Sequence, residues 1–531
     1  MIGGAWLPWP GALLSGLLAG RAVGLGWLAA GSFSLACSAL AALGEGPVLR
    51  QAWRRRAGMR ARRLTLPFLE RWLRRHPQHL LLGHGAPWRC REARRFLRAA
   101  AGPDRHQNGS PFDHTGMSRA LRLPASGSHT LVVGAPGTGK TQLFALLAVQ
   151  AIARGEAVVL LDPKGGHALR ERLATAAARA GRPSFRLLAA EPEASDAVDL
   201  LANGRSAGEL ASRVARLMPA DEGDNAFGQF AWMTLHRLIE AQRALGETVT
   251  LQGLREHVAD QGQALLRRLQ ARAVAAQGAL AGLAALAAHE PAHYRKMILA
   301  LAPVLETLCG GALGPLLSDL RRPRVTLGQI VRQGGVLYAG LGALSDEASA
   351  RALGALLLAD LAALAGDRYR GDGEQRPIRL FVDEAAEVTN PAFIQLLNKG
   401  RECGVQVTFA VQTLADLEVA MGGEGPARMM LGNAGNLVAF RLLDAGSREA
   451  WSARAGRVWA RLRGSAQGSQ QGAGPAGRSH GRSAGRSDVM QEVPLLPEAL
   501  LAHLPDLAFA ALLGGREVVL GRLPLLAEEG T

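Results

Sequence analysis

Lysine is almost missing from this 531-residue chain: of 61 basic residues, only Lys140, Lys164, Lys296 and Lys399 are lysines. Cysteine is scarce as well. Cys37, Cys90, Cys309 and Cys403 lie too far apart for a disulfide scaffold or a zinc-type spacing, and they suit a reducing compartment. Acidic residues are scarce at one end. Residues 1–105 hold 17 arginines against only Glu45, Glu70, Glu92 and Asp104, which is +13 of the net +16. The remaining chain is close to neutral, so a uniformly basic nucleic-acid binder is excluded. What is present is apolar: 48% hydrophobic residues support large cores and exclude global disorder, and the length suits several domains.

The N-terminus carries two uncharged stretches, residues 2–20 and 22–44, separated by Arg21. As helices of 19 and 23 residues they would span about 29 and 35 Å, against a hydrocarbon core of about 30 Å. A two-pass membrane hairpin over residues 1–48 is the expectation, although Pro8 and Pro10 weaken its first arm. A secretory signal is disfavoured, because no Lys or Arg precedes the apolar run and the run is too long. The following region, residues 49–118, opens with a dense arginine run (Arg50, Arg54, Arg55, Arg56, Arg60, Arg62, Arg63). Such a flank stays on the cytoplasmic side and suits anionic headgroups better than DNA phosphates.

Residues 131–133 form an apolar run that leads into Gly134-Ala135-Pro136-Gly137-Thr138-Gly139-Lys140-Thr141-Gln142, with a helical pattern after it. This is a P-loop in its strand–loop–helix setting. Its glycines let backbone N–H groups wrap phosphates, and the helix N-terminus favours negative charge. Lys140 would reach the β- and γ-phosphates and Thr141 would ligate magnesium. One of only four lysines stands here. The partner acid is expected at the end of another buried strand, and Ile378–Val382 followed by Asp383-Glu384 supplies it: Asp383 for magnesium, Glu384 to polarise the attacking water. Two further strands, residues 157–161 ending in Asp162-Pro163-Lys164 and residues 405–411 ending in Gln412, open on the same crevice. Gln412 is placed to sense the γ-phosphate. For Asp162, Lys164 and Gln412, a turn role and a nucleotide contact both remain open.

These motifs, in this order, resemble TraD/TraG-type conjugative coupling proteins, within the FtsK/HerA branch of P-loop motors and nearest to the TraD of integrative conjugative elements. The stretches that carry the resemblance are Gly83-His84-Gly85 with Trp88, HTLVVGAPGTGKT (129–141), VVLLDPKG (158–165), FGQFAW (227–232), LFVDEA (380–385), GRECGV (400–405) and AVQTLADL (410–417). The resemblance implies an α/β protein with a RecA-like P-loop ATPase core, an inserted all-α domain and an N-terminal transmembrane segment. It further implies an inner-membrane ATPase, hexameric around a DNA channel, using ATP and Mg²⁺. Such a protein links a relaxase-bound, single-stranded DNA to a type IV secretion channel. Arg401 lies where the family places an arginine that reaches a neighbouring subunit's nucleotide. A protein-exporting receptor and a non-hydrolysing scaffold are the alternatives, and Lys140, Asp383 and Glu384 argue against the scaffold. The chain departs from the family in leaving little room for a periplasmic domain between its apolar segments and in lacking a long acidic C-terminal tail.

The expected division places the first part of the ATPase core at 119–206 and an Ala/Leu-rich helical insertion at 207–322. The second part of the core follows at 323–463. Residues 464–488, rich in Gly, Ser, Gln and Arg, are expected to be a flexible loop. Core strands close the chain at 489–531.

Overall fold

A computed structural model describes residues 63–100, 119–218, 226–272, 277–318, 321–371, 376–474 and 477–527. The expected membrane hairpin and most of the arginine run that follows it lie outside the described residues.

Continuous apolar runs build the centre. Strand β1 is His79–Pro87, β2 Arg119–Pro124, β3 Thr130–Val133, β4 Ala157–Asp162, β5 Ser184–Leu188, β6 Val336–Gly340, β7 Ile378–Val382, β8 Val405–Val411, β9 Asn436–Ala439, β10 Ala508–Leu513 and β11 Glu517–Arg522. They form one sheet in the order β2-β1-β11-β10-β9-β3-β8-β7-β4-β6-β5. The seven strands from β9 to β5 are parallel, and the four at the other end pair antiparallel. Parallel strands are covered on both faces, which is why β3, β4, β6 and β7 read as largely apolar sequence and are buried throughout, Arg379 of β7 included.

The pleat divides each strand between two cores. Val132, Val158, Leu160 and Phe381 join a layer with helix α1, Lys140–Ala153, and helix α2, His167–Arg179. Leu131, Val159, Leu161, Leu380 and Val382 point to the opposite layer. There lie helix α3, Glu347–Tyr369, helix α4, Pro391–Lys399, and the helical insertion. The described residues between 207 and 317 form only helices, beginning with Ala207–Ala215 and Ala226–Ala244. A buried ion pair fastens this subdomain to the core: Arg213 meets Asp360 of α3 at 2.6 Å, and Asn203 donates to both oxygens of Asp360 at 2.9 and 3.1 Å.

Among the described residues, α3 alone is long and apolar enough to cross a membrane. It is the crossover between parallel strands β6 and β7, however, and its leucines pack in the core.

Three regions differ from the sequence expectation. The region expected to be juxtamembrane, 49–118, contributes β1 to the main sheet, paired with β11 more than 400 positions away. Strands β5 and β9 were not singled out in the sequence, being only five and four residues long; their parallel partners define them. The segment expected to be a flexible loop at 464–488 is part of an antiparallel ribbon, Arg457–Gly474 paired with Gly477–Pro494. Backbone pairing needs no apolar periodicity, so composition could not reveal it.

Candidate nucleotide-binding site

The parallel register brings the motif residues to one edge. Val382 pairs with Leu161 and Phe409, and Val411 pairs with Val133, so the loops after β3, β4, β7 and β8 meet at the C-terminal ends of the strands. This is the crevice where ligands bind in open parallel sheets.

The loop from Gly134 to Gly139 is fixed from behind. Its turn needs left-handed backbone at Gly137 (φ +75°) and Gly139 (φ +126°). At Gly134 a Cβ would lie 2.7 Å from the Cβ of Phe440, so only glycine fits against β9's end. Ala135 donates its N–H to the Arg441 carbonyl (3.0 Å), and the Thr138 carbonyl accepts from the Leu507 N–H (2.9 Å). Thr138 Oγ1 closes the turn onto the Ala135 carbonyl at 2.7 Å.

Lys140 opens α1. Its Nζ is folded back into the loop, donating to the Gly134 carbonyl at 2.5 Å, with the Ala135 carbonyl at 3.5 Å. Burial pushes its pKa down, against the pull of Glu384 and Asp383. A buried cation resting on carbonyls has a clear reason to prefer an anionic partner. Thr141 follows, exposed, with Oγ1 3.4 Å from the Asp383 carboxylate. Gln142 accepts from Arg172 at 2.9 Å and so faces α2.

Asp383 and Glu384 directly follow β7, both buried. Burial, with Glu384 and Asp162 nearby, raises the Asp383 pKa above the usual carboxylate range. A divalent cation between Thr141 and Asp383 would reverse that shift, and a hydroxyl beside a carboxylate is a suitable oxygen donor set for magnesium. Glu384 sits in left-handed backbone (φ +44°), a conformation costly for a residue with a Cβ. Its Oε1 is held twice, by Lys164 Nζ at 2.9 Å and Gln412 Nε2 at 3.1 Å. The Glu384 hydrogen bond and the carboxylates of Glu384, Asp383 and Glu387 outweigh burial and raise the Lys164 pKa.

Asp162 has a turn role: it accepts from the N–H groups of Lys164 (3.0 Å) and Gly166 (2.8 Å) and from the Tyr338 hydroxyl (2.7 Å). Tyr338 was invisible to motif reading. Its signal was a tyrosine, one of three in the chain, standing on a wholly buried strand. Burial and Asp162 push that phenol far above its ordinary pKa. Phe440, Arg441 and Leu507, which brace the loop, gave no sequence signal at all.

Arg401 stands apart. It precedes β8, at the opposite edge of the sheet from Gln412, and is exposed with Nη1 3.3 Å from the Gly127 carbonyl. Seven strand residues at about 3.3 Å each separate the two edges by roughly 23 Å. It is therefore not part of its own subunit's site.

A phosphate cradle facing an acid across parallel strands, with β8 between them, defines a P-loop nucleotide-binding protein of mixed α/β fold. Two family models match this chain. The type IV secretion-system coupling protein DNA-binding domain covers residues 120–277, and the TraM recognition site of TraD and TraG covers residues 377–506; together they span more than half of it. The chain belongs to the TraD/TraG-type conjugative coupling proteins. Solved structures agree on the fold. The plasmid coupling protein TrwB with a non-hydrolysable ATP analogue is 20% identical, with 76% of this chain and 86% of that one covered at a TM-score of 0.51. Unbound TrwBΔN70 is 19% identical, with 77% and 87% covered at a TM-score of 0.50. No curated protein sequence matches the chain.

Proposed function

We propose that this protein is a membrane-anchored, DNA-translocating ATPase that couples a relaxase–DNA complex to a type IV secretion channel. The observation that carries the reading is the meeting of Lys140, Thr141, Asp383 and Glu384 at one strand edge in a chain of this family. TrwB, its structural relative, has been solved with ATP and GTP analogues.

In this reading the N–H groups of residues 137–142 bind the phosphates, and Lys140 leaves the Gly134 carbonyl for them. Thr141 and Asp383 hold Mg²⁺, which when bound neutralises phosphate charge and orients the leaving group. Glu384 accepts the proton of the attacking water once its carboxylate leaves Lys164, and Gln412 senses the γ-phosphate. Arg401, remote from its own site, serves the neighbouring subunit of a hexamer. The N-terminal segments anchor the chain in the bacterial inner membrane, with the bulk cytoplasmic and in contact with channel proteins.

The test is ATP hydrolysis by the full chain with and without DNA. DNA should accelerate turnover, and Lys140→Ala and Glu384→Gln should each abolish the accelerated rate. Equal turnover with and without DNA contradicts a DNA motor.

A further inference from the structure

On the face carrying α1 and α2, the helix Leu66–Arg75 lies across the ends of both, leaving a groove of about 590 Å³ between the three. Its floor is aliphatic, built from the buried side chains of Leu69, Leu73, Val149 and Ile152. Its rim is cationic: Arg74, Arg154, Arg179 and Arg182, with Glu70 the acid that lines it. The rim is held in place. Arg179 pairs with Glu70 at 2.9 Å, and Arg154 pairs with Glu156 at 2.6 Å while donating to the Pro77 carbonyl. Glu156 is in turn neutralised from below by buried Arg379 at 2.6 Å. Arg74 is exposed on the helix above.

We propose that this groove binds an anionic phospholipid, with an acyl chain along the aliphatic floor and the phosphate on the arginine rim. Two observations favour lipid over nucleic acid. A nucleic-acid backbone uses cationic and polar partners and has no need of an aliphatic trough, whereas a phospholipid needs both parts together. The helix that roofs the groove also begins 22 residues after the uncharged stretch that ends at residue 44, with the arginine run between. The groove lies at the far end of α1 from Lys140, about 21 Å along 14 residues. Lipid bound there would set the orientation of the ATPase body against the bilayer without touching the nucleotide.

The experiment uses the full chain in phosphatidylcholine nanodiscs doped with phosphatidylglycerol that carries a photoreactive group at its acyl terminus. Labelled peptides are mapped by mass spectrometry. Label is expected on Leu66–Arg75 and on 149–154, in addition to any on residues 1–62. Ala153→Trp, an exposed groove position, should fill the trough and remove the label from both segments while leaving nucleotide binding and the 1–62 label unchanged. Arg74→Gln should lower groove labelling about fivefold, the factor that corresponds to ~1 kcal/mol per basic residue at an anionic surface. Label confined to residues 1–62 overturns the proposal, as does equal groove labelling by photoreactive phosphatidylcholine. Loss of groove label on adding a short DNA duplex or inorganic phosphate, but not on adding unlabelled phosphatidylglycerol, assigns the rim to another anion and also overturns it.

Discussion

The nucleotide crevice and the opposite edge of the central sheet use their cations differently. At the C-terminal edge stand Lys140 and Lys164, two of the chain's four lysines, each resting on a partner it can leave: a carbonyl for Lys140 and the Glu384 carboxylate for half-exposed Lys164. At the N-terminal edge stand arginines with fixed partners. Arg379 and Glu156 are both buried at 2.6 Å, and Arg376 donates to the Gly155 carbonyl at 2.8 Å. A compact ammonium on a flexible stem can change partners, while a planar guanidinium with several donors locks several groups at once. The first edge is suited to a cycle of binding and release, the second to holding strands in register and presenting charge outward.

Substitutions can break this contrast, starting with the largest effect. Glu384→Gln should cut ATP turnover about 100- to 10,000-fold, the usual range for losing a general base, with nucleotide affinity retained. Turnover measured against binding on the same preparation checks it. At the opposite edge, Glu156→Ala strands buried Arg379. It should lower unfolding free energy by about 3–5 kcal/mol while the folded fraction still binds nucleotide. Denaturant unfolding with and without nucleotide separates the two effects.

The next effect depends on pH. His129 precedes β3, is buried, and accepts the Val407 N–H on Nδ1 at 3.0 Å, which ties β3 to β8. Burial lowers its pKa to about 4 from the usual 6.5. A depressed histidine binds fewer protons folded than unfolded. Stability is thus unaffected by it above pH 6.5 and falls as pH drops from 6.5 towards 4, by about 3 kcal/mol in total. Unfolding curves across that range should lose this component in His129→Asn. The smallest expected effect concerns Arg401. Mixing Arg401→Ala with Glu384→Gln subunits should restore part of the turnover that each lacks alone, and no restoration would leave the arginine a surface residue.

The contrast also explains what the sequence disclosed. The C-terminal edge is assembled by local motifs: a loop of fixed spacing after β3, and an acid pair directly after the apolar run of β7. Their chemistry was readable because each motif sits within a few residues of its own strand. The partners that hold these motifs are distant. Phe440 and Leu507 brace the P-loop from more than 300 positions away, and Tyr338 fixes the Asp162 turn through space. Lys164 was readable as a neighbour of the crevice, but its bond to Glu384 comes from strand order. The closing strands β10 and β11 were expected from their apolar sequence, but the other half of the antiparallel flank was hidden for the same reason, since β1 finds β11 only after the whole chain has folded. Arginine-rich sequence around β1 pointed to the membrane surface and masked a strand that belongs to the core.

In the proposed function, nucleotide handled at Lys140 drives DNA transfer between cells. A mating assay comparing wild type with Lys140→Ala, with both proteins present at equal levels in the membrane fraction, tests it most directly. Transfer of the DNA element should be lost in the variant. Transfer at wild-type frequency would contradict it.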